Sequence, residues 1–205
     1  MTVFDLTRSQ ASASDVGAIE IRAIRADDKQ ALREGCERLS ERSRYRRFLS
    51  LHGSLTQAEL SCFTEVDHHD HEALVAIDRA TGHLIGVARY IRSQVDPAVA
   101  ELAVAVADDW QGQGVGGRLT GALVERARSE GIEHFSALML ADNAPMLNLI
   151  RDLGAVHDRH IEQGVVELTV DLPRGGTGDV SRLLRATARG DVQAVGHTAL
   201  GLGGC

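Results

Sequence analysis

The segment that most restricts how this chain can fold is an apolar run followed almost at once by a cluster of glycines. Residues 99–106 (Val-Ala-Glu-Leu-Ala-Val-Ala-Val) carry one charge in eight positions. So short a run, apolar at consecutive positions, reads as a central strand covered on both faces. Gln111, Gly112, Gln113, Gly114, Val115, Gly116 and Gly117 come next, and then Leu119, Ala122, Leu123 and Ala127 share one helical face that Gly131 ends. Residues 132–140 supply a second apolar strand. Strand, glycine turn, helix and strand in this order form one βαβ unit.

The rest of the chain is read around that unit. Ile19, Ile21 and Ile24 begin a strand, and a helix opens at Ala26-Asp27-Asp28 with Ala31, Leu32, Cys36 and Leu39 on one side. Residues 40–48 form a short Arg-rich helix, and Thr56 with Glu59 has capping-box spacing for a third helix containing Leu60 and Phe63. Residues 73–77 and 84–91 make a hairpin around Ala80-Thr81-Gly82. Asp142-Asn143-Ala144-Pro145 opens a further helix with Met146, Leu149, Ile150 and Leu153 inward, and 155–172 form a closing hairpin about Gln163-Gly164. The expected fold class is α/β (α+β), a mixed and mostly antiparallel sheet around the βαβ unit with helices on both faces. Residues 1–17 are expected to be a flexible arm, 18–172 one domain, and 173–205 a linker and tail with an amphipathic helix.

A net charge of -7 and only 3% aromatic residues argue against a nucleic-acid-binding face. No run reaches the length of a membrane span and residues 1–17 lack the apolar core of a signal peptide, so no membrane partner and a cytoplasmic location are expected. Cys36, Cys62 and Cys205, odd in number and scattered, read as reduced thiols without metal-type spacing. Asp67-His68-His69-Asp70-His71 holds metal-type side chains, but consecutive residues do not converge on one ion, and a solvated loop is the reading kept. Arg44, Arg46 and Arg47 are read as a solvated helix face, with a phosphate or acidic contact as the alternative.

Glycines let successive N–H groups point one way and allow an anion to approach, and a helix start adds positive partial charge. The glycine turn therefore favours a phosphorylated ligand. As a Walker A loop it spaces Gly112 and Gly117 correctly, but Arg118 and Leu119 stand where Lys and Ser/Thr are required. As a dinucleotide fingerprint it offers Gly112, Gly114 and Gly117. Residues 107–110 separate it from the strand, however, and no acidic residue ends the next strand, which leaves a dinucleotide oxidoreductase as a minor alternative. A third spacing, Q/R-x-x-G-x-G/A, is met by Gln111, Gly114 and Gly116 and calls for neither Lys nor a metal ion.

Together with Ile21-Arg22-Ala23-Ile24-Arg25, Ser43-Arg44-Tyr45-Arg46-Arg47-Phe48, Asn143, Met146 and Leu153-Gly154, these pieces resemble the GNAT superfamily of N-acetyltransferases. Within it, residues 19–172 are similar to the acetyltransferase domain of bacterial Pat-type protein-lysine acetyltransferases. The resemblance implies a GNAT fold and acetyl-CoA as acyl donor without a metal, its pyrophosphate held by Gln111 to Gly117. It implies that the backbone of Val104, Ala105 and Val106 bonds the pantetheine arm and that Asn143 reaches the coenzyme. The implied acceptor is a primary amine, on a protein lysine or a small molecule, and a homodimer is left open. Two features depart from the pattern. Ile150 stands seven residues after Asn143, where many members carry a proton-donating Tyr, and 205 residues leave no room for the nucleotide-sensing domain that Pat-type enzymes can carry.

A free lysine amine, with a pKa near ~10.4, is only about 0.1% neutral at pH 7.4, so amine acetylation calls for a base. Glu101 is the one charge in the buried strand and falls where the family's strand-borne general base lies. The alternative class is an acyl-CoA sensor that keeps the loop without efficient chemistry; Ile150 favours it and Glu101 opposes it.

Overall fold

The computed structural model describes residues 18–51 and 53–173. The expected arm over 1–17 and the expected tail helix lie outside the described residues. The chain runs from β1 (Ile19–Ala23) through a 3-10 turn into α1 (Lys29–Glu37), α2 (Glu41–Phe48) and α3 (Gln57–Thr64). Then follow β2 (His71–Asp78), β3 (Leu84–Arg92), β4 (Val99–Val106), α4 (Val115–Ser129), β5 (His134–Leu140), α5 (Ala144–Leu153), β6 (Val156–Glu162) and β7 (Val165–Asp171). Among the described residues, seven strands form one sheet in the order β1-β2-β3-β4-β5-β7-β6. Among these strands only β4 and β5 pair in parallel, as a strand–helix–strand connection requires.

Local chemistry explains the helix starts. Ser40 caps α2 by accepting from the Ser43 amide at 3.2 Å. Thr56 and Glu59 form a capping box on α3, with Thr56 Oγ1 accepting from the Glu59 amide and the Thr56 amide donating to Glu59 Oε2. Asn143 caps α5, whose first turn holds Pro145.

The strand period of two divides the core. Ala100, Leu102, Val104 and Val106 on β4 join Leu119 and Leu123 of α4 and Met146 and Leu149 of α5 in one buried cluster. The other face of the sheet, with Ala73, Val75 and Val87, packs against Leu32 and Cys36 of α1 and Leu60 and Phe63 of α3. Helices thus cover both faces, and Glu101, Ala103 and Ala105 point to the α1–α3 side. Cys36 is a free, buried thiol whose pKa burial raises. Cys62 is half-buried on α3, and Cys205 lies outside the described residues.

Gly154 follows α5 where the chain passes under β7. A Cβ at this position would lie 2.1 Å from the Asp171 carbonyl oxygen, a backbone atom that cannot move aside alone. Gly154→Ala is therefore expected to destabilise the domain by about 1–3 kcal/mol, the usual cost of overpacking. A circular-dichroism melt reads this as a fall of several degrees, and an unchanged Tm would contradict the close approach.

Candidate active site

The site begins where β4 and β5 part. Their parallel ladder covers Val99, Ala100 and Glu101 against His134, Phe135 and Ser136, and goes no further among the described residues. β4 stays paired with β3 out to Val106, while β5 stays paired with β7 out to Leu140. The two strands therefore open a wedge toward their C-terminal ends, and β4 past Leu102 turns its β5-side edge into that wedge.

The glycine turn closes over the mouth of the wedge. Gly112 and Gly114 have φ of 75° and 79°, a left-handed conformation that glycine adopts without strain. Gly114 is the N-cap of α4 and has no side chain to cap with, so the helix starts inside the motif, with Val115, Gly116 and Gly117 in its first turn. First-turn N–H groups have no partner within the helix, and the 15-residue α4 adds its dipole there. Gln111 lies beside them, its Nε2 donating to the Val106 carbonyl at 3.1 Å and to Ser43 Oγ at 3.3 Å. Gln113 Nε2 donates to the Asp109 carbonyl. Trp110 packs against the core beneath the turn.

Asn143 stands at the end of β5, on the other side of the wedge. It is fully buried, and its Oδ1 accepts from the Met146 amide at 3.4 Å. Its Nδ2 has no hydrogen-bond partner among the described residues. A buried amide donor held in place at one end and unbonded at the other is suited to a bound polar group.

Glu101 is the last β4 residue in the ladder, which puts it at the apex of the wedge. Its side chain is half-buried, and Oε1 is buried without a hydrogen-bond partner among the described residues. Burial raises its pKa above the ordinary carboxylate range, Arg47 partly offsets this, and Glu167 adds to the rise. A carboxylate made more basic by desolvation is suited to accepting a proton.

Two parts of this face differ from the sequence-based expectation. Arg46 and Arg47 are 7% and 5% exposed while Arg44 is half-buried, so two of the three arginines read as a solvated face are turned inward. Arg46 lies 3.8 Å from Asp142 beside α5, and Arg47 stacks on Phe48 and feels Glu101. Burial pushes Arg47 down to about 10. His71 is not in a solvated loop but begins β2, where it meets Arg89 of β3. Sequence reasoning passed over Arg89, yet the signal existed: it is a cation in an apolar strand, as Glu101 is an anion in one.

His134, His157 and Asp171, at the far end of β5 from the wedge, are the metal-type grouping found among the described residues. His134 Nδ1 lies 2.8 Å from Asp171 Oδ1.

Residues 37–155 match the family described as Acetyltransferase (GNAT) family. The chain belongs to the GNAT acetyltransferase family. It is 37% identical over 153 residues to Acetyltransferase Pat of Mycolicibacterium smegmatis, an alignment covering 75% of this chain and 45% of that protein. The chain thus spans less than half the length of that relative. It is 31% identical over 150 residues to Acetyltransferase PA5475 of Pseudomonas aeruginosa, covering 72% of this chain and 80% of the relative. The crystal structure of the GNAT domain of S. lividans PAT superposes with a TM-score of 0.69 at 32% identity, covering 75% of this chain and 90% of that one. The GNAT fold expected from the sequence is the fold observed. No described helix is long and apolar enough to cross a membrane.

Within the GNAT domain, one clamp ties α2 to the glycine turn. Asp108 accepts from the Ser40 amide and Oγ at 2.8 Å and from Ser43 Oγ at 2.7 Å. Burial pushes Asp108 up, but these hydrogen bonds together outweigh it and hold the carboxyl below its usual range. Its share of stability is therefore present above the unfolded pKa near ~3.9 and is lost as pH falls through the lower native value. Asp108→Ala is expected to cost about 1 kcal/mol at pH 7, charged hydrogen bonds being discounted for the exposure of this site. Urea unfolding of both proteins at pH 7 and pH 3 checks this: the gap should narrow in acid, and a gap independent of pH would contradict it.

Proposed function

We propose that this protein is an acetyl-CoA-dependent N-acetyltransferase that acetylates a primary amine by direct transfer, with Glu101 as general base. The observation that carries the reading is Glu101 at the apex of the β4–β5 wedge, whose mouth holds the α4 N-terminus. The site's residues suit the coenzyme. Glycines at positive φ and the first-turn amides of α4 fit a pyrophosphate without a metal ion. The β5-side edge of Val104, Ala105 and Val106 can accept a pantetheine arm as an added strand, and the buried Asn143 Nδ2 has a donor to give.

Acetyl-CoA supplies an acyl carbon activated as a thioester. This chain's part is to bind it along β4, bring the acceptor amine beside Glu101 and remove the proton. As the amine nitrogen bonds to the acyl carbon and the C–S bond breaks, the Glu101 carboxylate takes the amine proton, directly or through water. The thiolate leaves with the electron pair of that bond. Ile150 is fully buried in the core and donates no proton to it. A thiol of pKa near ~8.5 is a tolerable leaving group unaided. The resemblance to N-acetyltransferases supports an amine acceptor, on a protein lysine or a small molecule. Ile150 also favours a second reading, a sensor that binds acyl-CoA without turnover.

Two experiments bear on this. Acetyl-CoA should raise Tm with EDTA present, by the equivalent of about 2.7 kcal/mol at one hundred times Kd. Gly114→Asp should abolish that shift, and a shift retained in the variant would remove the loop from the coenzyme site. Glu101→Gln should leave coenzyme affinity nearly unchanged and lower kcat/KM by about 10²–10⁴, with the deficit shrinking toward pH 10 as solution deprotonates the amine. Parallel pH–rate profiles differing less than about threefold would exclude Glu101 as base. Binding without turnover in either protein would favour the sensor.

A further inference from the structure

The face of the sheet that carries Glu101 carries a second buried charge. Arg89 on β3 is 2% exposed and lies between Ala73 of β2 and Ala103 of β4, small neighbours that leave its side chain room. Its guanidinium sits over the Phe63 ring, 4.4 Å from the centroid. Nη1 donates to His71 Nε2 at 3.2 Å. Burial, with Arg89 nearby, pushes His71 down to about 4, so His71 is a neutral acceptor at pH 7 and brings no counter-charge. Nε of Arg89 has no hydrogen-bond partner, and no carboxylate forms a salt bridge to Arg89, among the described residues. Arg47 reaches the same place from α2, and both arginines line one cavity of about 40 Å³ whose other walls include Leu32, Phe48 and Val87.

A guanidinium buried without a counter-ion is costly, and mutual repulsion adds to the cost when two share a cavity. Glu101 offsets Arg47 from one side. Among the described residues this leaves the Arg89 guanidinium without a carboxylate and with an unbonded Nε, on the wall of a space that fits a carboxylate-sized group. A guanidinium fork matches a carboxylate in charge and in shape. In the adjacent row of the same face, Ile91 of β3 pairs with Glu101, so the cavity and the proposed base lie on neighbouring rows.

We propose that this cavity is an anion subsite of the acceptor site, and that the amine acetylated here belongs to a small molecule bearing its own carboxylate. Arg89 holds that carboxylate, with Arg47 beside it, while the amine lies at Glu101. The inference rests on the N-acetyltransferase reading above and narrows it: the acceptor is an amino-acid-type compound rather than a lysine within a protein.

The test uses the full chain, acetyl-CoA, and the series of ω-amino acids from glycine to 6-aminohexanoate, each beside its carboxamide. Blocked lysine (Nα-acetyl-lysine amide) is the comparison lacking a carboxylate. Thiol release gives kcat/KM for every pair. At least one acid is expected to exceed its amide, and the blocked lysine, by tenfold or more. Arg89→Met should bring acid and amide within about threefold of one another, mainly through KM of the acid, while amide rates and acetyl-CoA affinity stay within threefold of wild type. Arg89→Lys, with the charge but not the fork, should fall between, and it carries the test if Arg89→Met does not fold. Equal rates for acid and amide in the wild type would overturn the proposal. So would a preference that survives Arg89→Met, an equal loss for acid and amide, or a loss confined to acetyl-CoA affinity, which would assign the cavity to the coenzyme. If acetyl-CoA binds and no amine is acetylated, the N-acetyltransferase reading fails separately. The subsite is then judged by melting: a Tm rise with the same acids in wild type and not in Arg89→Met upholds an anion site, and no rise at 100-millimolar levels overturns it.

Discussion

The parting of β4 from β5 after Glu101 is the constraint on which the other features of this molecule depend. A parallel pair that stays together would use both edges of β4 in ladders and leave no backbone for a ligand. Here β3 keeps one edge of β4 to its end, β7 keeps one edge of β5, and the facing edges separate beyond Glu101 and Ser136. The opened strands are held from above. Gln111 bonds the Val106 carbonyl, and Asp108 fastens α2 to the turn through Ser40 and Ser43. Gly86, opposite Val106, lets α4 settle closely on β3: a Cβ there would meet Leu119 Cδ1 at 3.0 Å. The wedge, the helix start and Asn143 thus become neighbours through backbone pairing and close packing.

Electrostatics on the α1–α3 face follow from the same layout. The chain as a whole is acidic, yet this face buries Arg47 and Arg89 near the partly buried Glu101. Desolvation drives each group toward its neutral form, raising the carboxyl and lowering the two guanidinium groups, Arg89 to about 9. Charge in an apolar layer is kept at a cost to stability, which is the pattern expected where binding or proton transfer takes place. The α4–α5 face holds an apolar cluster of the ordinary kind, and Ile150 belongs to it.

Much of this was legible in the sequence because the signals were local. The 99–106 run, the Thr56–Glu59 box, the hairpin glycines and the Asn143-Ala144-Pro145 helix start each state their structure within a few residues. Glu101 stood out as the one charge in a buried strand. Arg46 and Arg47 were misread because a run of arginines on a short helix looks solvated, and only the docking of α2, clamped through Asp108, buries them. His71 was misread for a similar reason: its neighbours form a polar loop, and one residue decides whether it joins β2. Arg89 carried the same signal as Glu101, but what it faces is assembled from α2, α3 and β2, which no local pattern reveals.

The central claim is that the β4–β5 wedge and the start of α4 together hold the acyl donor with its thioester beside Glu101. A crystal structure with coenzyme A tests it most directly. The account predicts the pyrophosphate within hydrogen-bond distance of the amides between Gln113 and Gly117, the pantetheine arm bonded to the backbone of Val104 to Val106, and the sulfur at the Glu101 end of the wedge. A coenzyme bound elsewhere, or one whose sulfur points away from Glu101, would contradict it.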